Sequence, residues 1–471
     1  MSLPRRSQSA LEYMMTYGWA ILVIVIVAAV LYSLGIFSPS SAITSSVTGF
    51  SNLGSVAAQV IPNSGLVLSL GDSTGYNINI TNITISLDGK TSTIRPDSLI
   101  SSSSSSRFFI PFSSVPASSS YSFSVTVSYT EPGQIFPGPY VSTGTVYGTS
   151  TSSSGFYQAI TITNSQTTPT PAPFQQMINL SINNGGWYGI TSMIAPNYQN
   201  VEFFSSNGSV ISSWLENYSS SQFIYWIKLQ NGIPASSSVT IYMVYFPKSD
   251  NVLNNVNNGE APQISCGLTP TSSCSNYAEY DDGANVFNNY WNFAGTSLPS
   301  GWVASGAGSI TVNNGVSLSY NGQGPFVEGP TEISSGIVLD ALVSAPSNGE
   351  INIGGFNSFV VDLGFTGPPT AWAIGATSSG AVSSWSIGSN TPVATANTQY
   401  VMTFYYDSGA MVLLADYQTA TSVDNSFSSP QYISFNGYGS SGAGNGFIQW
   451  LRTRTYPPNG VMPSVSFGSV S

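Results

Sequence analysis

Histidine is absent from this 471-residue chain, and charge is scarce, with nine Lys and Arg and 20 Asp and Glu. Without histidine, Ser-His-Asp triads, imidazole general bases and His-ligated zinc are all excluded. Nine scattered basic residues in a chain of net charge −11 do not make the cationic surface a nucleic-acid partner requires. Only two cysteines occur, Cys266 and Cys274 in "CGLTPTSSC". In an exported chain two nearby cysteines pair as a local disulfide; the alternative is two unpaired thiols, and without histidine they make a poor zinc site. Acid unfolding comes largely from protonating paired carboxylates and charging buried histidines. A chain with few of the first and none of the second is expected to tolerate acid.

What is abundant is aromatic and hydroxylated. Aromatics reach 13%, which separates this chain from charge-rich, aromatic-poor disordered sequences. The length is too great for one compact core, so two or three folded units are expected.

The N-terminal stretch "RRSQSALEYMMTYGWAILVIVIVAAVLYSLGIF" carries no charge from Tyr13 to Phe37, a run of 25 residues. A bilayer core needs about 20 helical residues and a secretory h-region about 7–15, so the run is long enough to span. Arg5 and Arg6 precede it, which places the N-terminus in the cytoplasm and the bulk of the chain outside. Glu12 lies at the lip of this run, where a carboxylate seeks a partner. Cleavage between Ser7 and Gln8 would create an α-amino group able to neutralise Glu12 of a neighbouring subunit. "RRSQSALEY" followed by an apolar helix resembles the class III signal of archaeal type IV pilin-like proteins. That resemblance implies a prepilin-type peptidase cutting before Gln8 and a role for Glu12 in aligning subunits. Ser7 stands where the family carries a basic or glycine residue. An uncleaved signal anchor with an interfacial Glu12 is the alternative.

Beyond the anchor the pattern is strands and turns. "YNINITNITISL", "YSFSVTVSY" and "GFYQAITIT" alternate apolar and polar residues, as half-buried strands do. "TTPTPAP" (167–173) reads as a semi-stiff spacer. The segment from Phe174 to Lys248 resembles a domain of unknown function found in archaeal and bacterial surface proteins, often just ahead of a concanavalin-like domain. The matching residues are the Val201–Phe204 strand, Trp214-Leu215-Glu216, Tyr225-Trp226-Ile227-Lys228, Ile233-Pro234-Ala235 and Thr240–Tyr245. The concanavalin-like partner resembles the remainder, through Tyr280, Asp281, Asp282 and Trp291 at its start. A closing pattern follows at Trp450, Arg452, Arg454 and Tyr456.

Glycosidases on such sandwiches need two carboxylates flanking the substrate. Retaining members place them as E-x-D-x-E on one strand, and no such string occurs; Glu328, Glu332, Asp340, Glu350 and Asp362 are scattered. Asp281 and Asp282 are the candidates for calcium, with turn capping the simpler reading. Trp291, Trp372 and Trp385 are candidate sugar-binding aromatics, or else core residues.

The expected fold is mainly β: an N-terminal transmembrane α-helix followed by three antiparallel β-sandwich domains, the last a concanavalin A-like or laminin G-like jelly roll. The expected divisions are a leader (1–7), the helix (8–40), a β-sandwich (44–165), a Pro/Thr linker (166–173), the surface-protein domain (174–248), an Asn-rich connector with the cysteines (249–277) and the jelly roll (278–471). The expected function is non-enzymatic: a cell-surface adhesion protein, first as a minor type IV pilin-like subunit and alternatively as a monomeric membrane-anchored glycan-binding protein. An exported glycoside hydrolase is disfavoured. The expected partners are the membrane, the prepilin-type peptidase, other pilin-like subunits and surface glycans, with no required cofactor.

Overall fold

The computed structural model describes Val23, Val25 and residues 45–151, 155–182, 192–266, 274–355, 359–364, 372–378, 381–387, 393–407, 409–424, 431–439 and 445–470. Ser7, Gln8 and Glu12 lie outside the described residues, as does most of the apolar run; Val23 and Val25 are helical. Among the described residues no helix is long and apolar enough to cross a membrane. The chain divides into two compact units, Met1–Ser106 with Ile110–Ser154, and Arg107–Phe109 with Gly155–Ser471.

The first unit holds a six-stranded and a three-stranded sheet. Its strands follow the alternation of the sequence. In Ser120–Thr130, Tyr121, Phe123, Val125, Val127 and Tyr129 are buried while Ser120, Ser122 and Ser124 are exposed.

The second unit contains two sandwiches. The first packs two four-stranded sheets around one core. One sheet runs Val201–Ser205, Ser237–Tyr245, Phe156–Asn164, Ser464–Val470; the other runs Phe174–Ser181, Gln222–Leu229, Ser213–Tyr218, Asn258–Glu260. The short Asn258–Glu260 strand pairs in parallel, and the other pairings are antiparallel. This sandwich differs from the expected divisions at both ends. Phe156–Asn164, expected in the preceding domain, pairs along its whole length with Ser237–Tyr245 and buries Ile160 and Ile162 in this core. Ser464–Val470, expected in the jelly roll, completes the same sheet. Apolar complementarity decides strand pairing, and chain order does not. The Pro/Thr stretch is no free spacer either. Thr170 is buried; its N–H donates to the Ile233 carbonyl, and its Oγ1 accepts from the Ile233 N–H at 2.7 Å. It thus docks on the loop that contains Gly232.

The second sandwich is a jelly roll of two eight-stranded sheets enclosing one large core. The back sheet runs Ser309–Val312, Val316–Ser319, Asn445–Thr455, Ile337–Ser344, Tyr400–Asp407, Ala410–Ala415, Gln418–Asp424, with Asn289–Trp291 beside Asn445–Thr455. The front sheet runs Val303–Gly306, Pro325–Ile333, Gln431–Gly439, Gly349–Gly355, Phe359–Gly364, Trp372–Ser378, Ala381–Ile387, with Gly322–Gln323 beside Gln431–Gly439. A register shift on Asn445–Thr455 sends Ile448 and Leu451 into the jelly-roll core and Trp450 into the first sandwich's core. The outer face of the back sheet is therefore covered by the first sandwich.

Candidate functional site

The outer face of the front sheet is built by alternation. In Gly349–Gly355, Ile351 and Ile353 enter the core, so Glu350, Asn352 and Gly354 point the other way. In Gln431–Gly439, Ile433 and Phe435 are core, and Tyr432, Ser434, Asn436 and Tyr438 face outward. Register sets Tyr438 beside Glu350, Asn436 beside Asn352 and Ser434 beside Gly354. On the other side Asn352 pairs with Asp362, whose neighbours Val361 and Leu363 are core, and Asp362 pairs with Ala373. A polar row, Asn436–Asn352–Asp362, thus crosses three strands. Tyr432 and Tyr438, each 49% exposed, stand on the strand that starts it. Gly354, Ala373 and Gly375 keep the floor beside it low.

This row carries unmet hydrogen-bonding capacity. Asp362 is 8% exposed, yet its Oδ1 has no partner, and neither has Asn436 Oδ1. A buried unsatisfied polar group costs about 1–3 kcal/mol, so two in one row point to a ligand that supplies donors. Burial, then the charge of Glu350, holds the Asp362 carboxyl well above the usual carboxylate range. Beneath the row, Tyr320 donates from its hydroxyl to the Glu350 carbonyl at 2.6 Å. Its ring lies so close to Gly437 that a Cβ there would sit 2.0 Å from Tyr320 Cε1.

The three outward positions of "EINIG" are Glu350, Asn352 and Gly354, so this strand carries one carboxylate where an E-x-D-x-E strand carries three. A search for the intact string passes over it. The signal lay in the strand alternation, which fits three outward positions with a single carboxylate.

The residues singled out from sequence disperse. Trp372 is fully buried, edge-on to Tyr400 with centroids 5.3 Å apart, and belongs to the core rather than to a binding face. Trp291 is half-buried and packs edge-on to Trp302 at 5.2 Å. Trp385 is the register partner of Gly375. Cys266 and Cys274 form a disulfide with Cα atoms 5.8 Å apart. Asp281 accepts from Trp214 Nε1 (2.9 Å), Tyr290 Oη (2.9 Å), Asn292 Nδ2 (2.7 Å) and the Gly283 N–H (3.0 Å), which makes it a hydrogen-bond hub rather than a cation ligand. Asp282 precedes the short helix Gly283–Val286, is 1% exposed, and neither carboxyl oxygen has a partner. Among the described residues no group of three or more Cys, Asp or Glu side chains assembles a metal site.

The Trp-x-Arg-x-Arg pattern has a structural office instead. Arg452 is fully buried between the two sandwiches. It binds Glu216 at 2.6 Å and Asp340 at 2.9 Å, and Arg454 binds Asp340 at 2.8 Å. The Arg452 guanidinium carbon lies 4.3–5.2 Å from the ring centroids of Phe287, Trp226, Trp450 and Trp214. Trp226 Nε1 and Tyr417 Oη both donate to Glu216 Oε2 as well. Burial raises Asp340, but the charges of Arg454 and Arg452 outweigh it and hold the carboxyl below its usual value. The Trp-Leu-Glu stretch of one sandwich and the Arg pair of the other are two halves of one buried ionic lock.

No family model matches the chain. An uncharacterized protein of Sulfolobus islandicus rod-shaped virus 1, protein 562, is 40% identical over 139 residues, 28% of this chain and 21% of the viral protein. The chain thus spans about a fifth of the length of that curated relative. Among solved structures, Bacillus licheniformis β-glucanase is similar at 13% identity and a TM-score of 0.30, over 36% of this chain and 97% of the glucanase. The carbohydrate binding module CBM66 from Bacillus subtilis is similar at 13% identity and a TM-score of 0.27, over 33% of this chain and 96% of the module. At those TM-scores neither likeness bears on activity. The chain is mainly β, built of several antiparallel sheets, and one part of it resembles a concanavalin-like jelly roll.

Proposed function

We propose that this protein is a membrane-anchored surface protein that binds neutral glycans on the outer face of the front sheet and does not hydrolyse them. The observation that carries the reading is the row Asn436–Asn352–Asp362, with its unpartnered Asp362 Oδ1 and Asn436 Oδ1 beside the exposed Tyr438 and Tyr432. Sugar hydroxyls both donate and accept, and sugar C–H faces pack on tyrosine rings. The strand of Glu350 has Gly354 where a second carboxylate would stand, and the other carboxyl of the face, Asp362, lies on the neighbouring strand. The uncharged run Tyr13–Phe37 supports the anchor.

The test is a glycan array probed with full-length protein in a detergent that has no sugar headgroup. Retention of neutral glycans is expected, with affinity lowered about tenfold or more in Asp362→Ala/Asn436→Ala, a loss of at least ~1.4 kcal/mol. No retained glycan, or equal retention by that variant, overturns the reading. Reducing ends released by the wild type but not by Glu350→Gln would make the protein a hydrolase.

The motif "RRSQSALEY" favours a second reading, a pilin-like subunit carrying the same head. Mapping the native N-terminus separates the two. A start at Gln8 together with loss of filament incorporation in Glu12→Ala supports the subunit, and an uncut Ser7–Gln8 bond supports the plain anchor.

A further inference from the structure

A second polar recess lies far from the front sheet, between the first sandwich and the outer face of the back sheet. It is a cleft of about 390 Å³, within the roughly 300–1,000 Å³ of small-molecule sites. The first sandwich contributes Gln222 and Gln263 to its wall; the jelly roll contributes Gln399, Asp416, Tyr417 and Trp450. Each wall brings one buried group without a partner: Gln263 Oε1, an acceptor, and Trp450 Nε1–H, a donor. Gln263 is 4% exposed and Trp450 is fully buried.

The chemistry of the walls selects the ligand. A cation satisfies only acceptors and an anion only donors, whereas an alcohol hydroxyl does both. Of the two carboxylates at the cleft, one is paired with a cation and the other already accepts a backbone N–H. Glu216 is paired with Arg452, and burial pushes Asp416 above its usual value while its Oδ1 accepts the Val401 N–H at 2.8 Å. Side-chain amides supply further donors and acceptors: Gln399 Nε2 donates to Gln449 and Gln222 Nε2 to Asn179, and the amide oxygens of both lining residues retain acceptor capacity.

We propose that this cleft is a second binding site, for one or two rings of a neutral sugar, independent of the front-sheet face. A ligand held there touches both sandwiches, and with the front-sheet face it would make the head bivalent. Two linked weak sites raise avidity on a repeating glycan by about 10²–10⁴.

The experiment uses the full-length protein in a detergent without a sugar headgroup, with Asp362→Ala/Asn436→Ala to silence the front face. Cellobiose, maltose and mannobiose are titrated to about 10 mM, followed by calorimetry and tryptophan fluorescence, a range that reports millimolar affinity. At least one disaccharide is expected to bind at one site per chain, and Gln263→Leu or the half-exposed Gln399→Leu should each weaken it about tenfold. The melting temperature of the Gln399→Leu protein should stay within about 2 °C of its parent, which separates lost binding from lost folding. No heat and no fluorescence change with all three sugars overturns the site. Binding left intact by Gln263→Leu and Gln399→Leu overturns it too. Binding present in the wild type but absent from the silenced background would leave only the front face, and binding that persists there while the front-face variants change nothing would leave only the cleft.

Discussion

At the scale of single residues, the strongest commitment in the fold is Arg452. An unpaired charge in its position would be untenable, so two carboxylates and four aromatic rings surround it. Removing one partner of a buried ionic cluster leaves the others uncompensated and costs about 3–5 kcal/mol. Arg452→Met is therefore expected to lower stability by that amount, read as a shifted urea midpoint. Adding Glu216→Gln should recover part of it, because the stranded charge goes too. A single variant as stable as wild type would refute the lock. The carriers of this cluster were visible in the sequence as two separate motifs, Trp-Leu-Glu and Trp-x-Arg-x-Arg. Their partnership was not visible, because 236 residues separate Glu216 from Arg452.

At the scale of elements, the strands were legible and the connections were not. Period-two alternation identified the strands because each buries one face. A proline-rich stretch looked like a spacer because its composition resists a ladder, yet Thr170 borrows its hydrogen bonds from Ile233. That docking leaves no room at Gly232, where φ is +64° and a Cβ would lie 2.7 Å from the Pro171 carbonyl oxygen. Gly232→Ala is expected to destabilise by more than the ~1 kcal/mol of an ordinary glycine change. Faster proteolysis between residues 166 and 173 would report it; unchanged proteolysis and midpoint would show the stretch to be undocked. On the front sheet the outward residues followed from alternation as well. Tyr432, Asn436 and Tyr438 were written in "QYISFNGYG", but their neighbours across the sheet depend on register with strands some 80 residues away.

At the scale of the whole molecule, acid response brings composition and burial together. Burial outweighs the Arg107 ion pair and lifts Glu202 to about 7, and burial likewise lifts Glu260 to about 7. The ordinary value is 4.5, so between pH 4.5 and 7 the unfolded chain releases protons that the folded chain keeps. Stability then falls as pH rises through that window and is greatest below it. Asp340, held low by Arg454 and Arg452 against its burial, acts oppositely and loses its contribution only as pH drops below about 4. The melting temperature should accordingly rise from pH 8 to pH 5 and turn down only in stronger acid. A circular-dichroism series with its maximum near pH 8, or collapse near pH 4, would contradict this.

Composition and pattern alone determined that the chain is β-rich and aromatic, carries a bilayer-length apolar run, and lacks imidazole. Those properties are sums or short periods along the chain, and no fold alters them. Only the tertiary structure decided that Trp372 is core, that Asp281 holds a hub of donors, and that Asn436, Asn352 and Asp362 form one row. Which groups share a surface depends on pairings between distant strands, and burial depends on what packs over them.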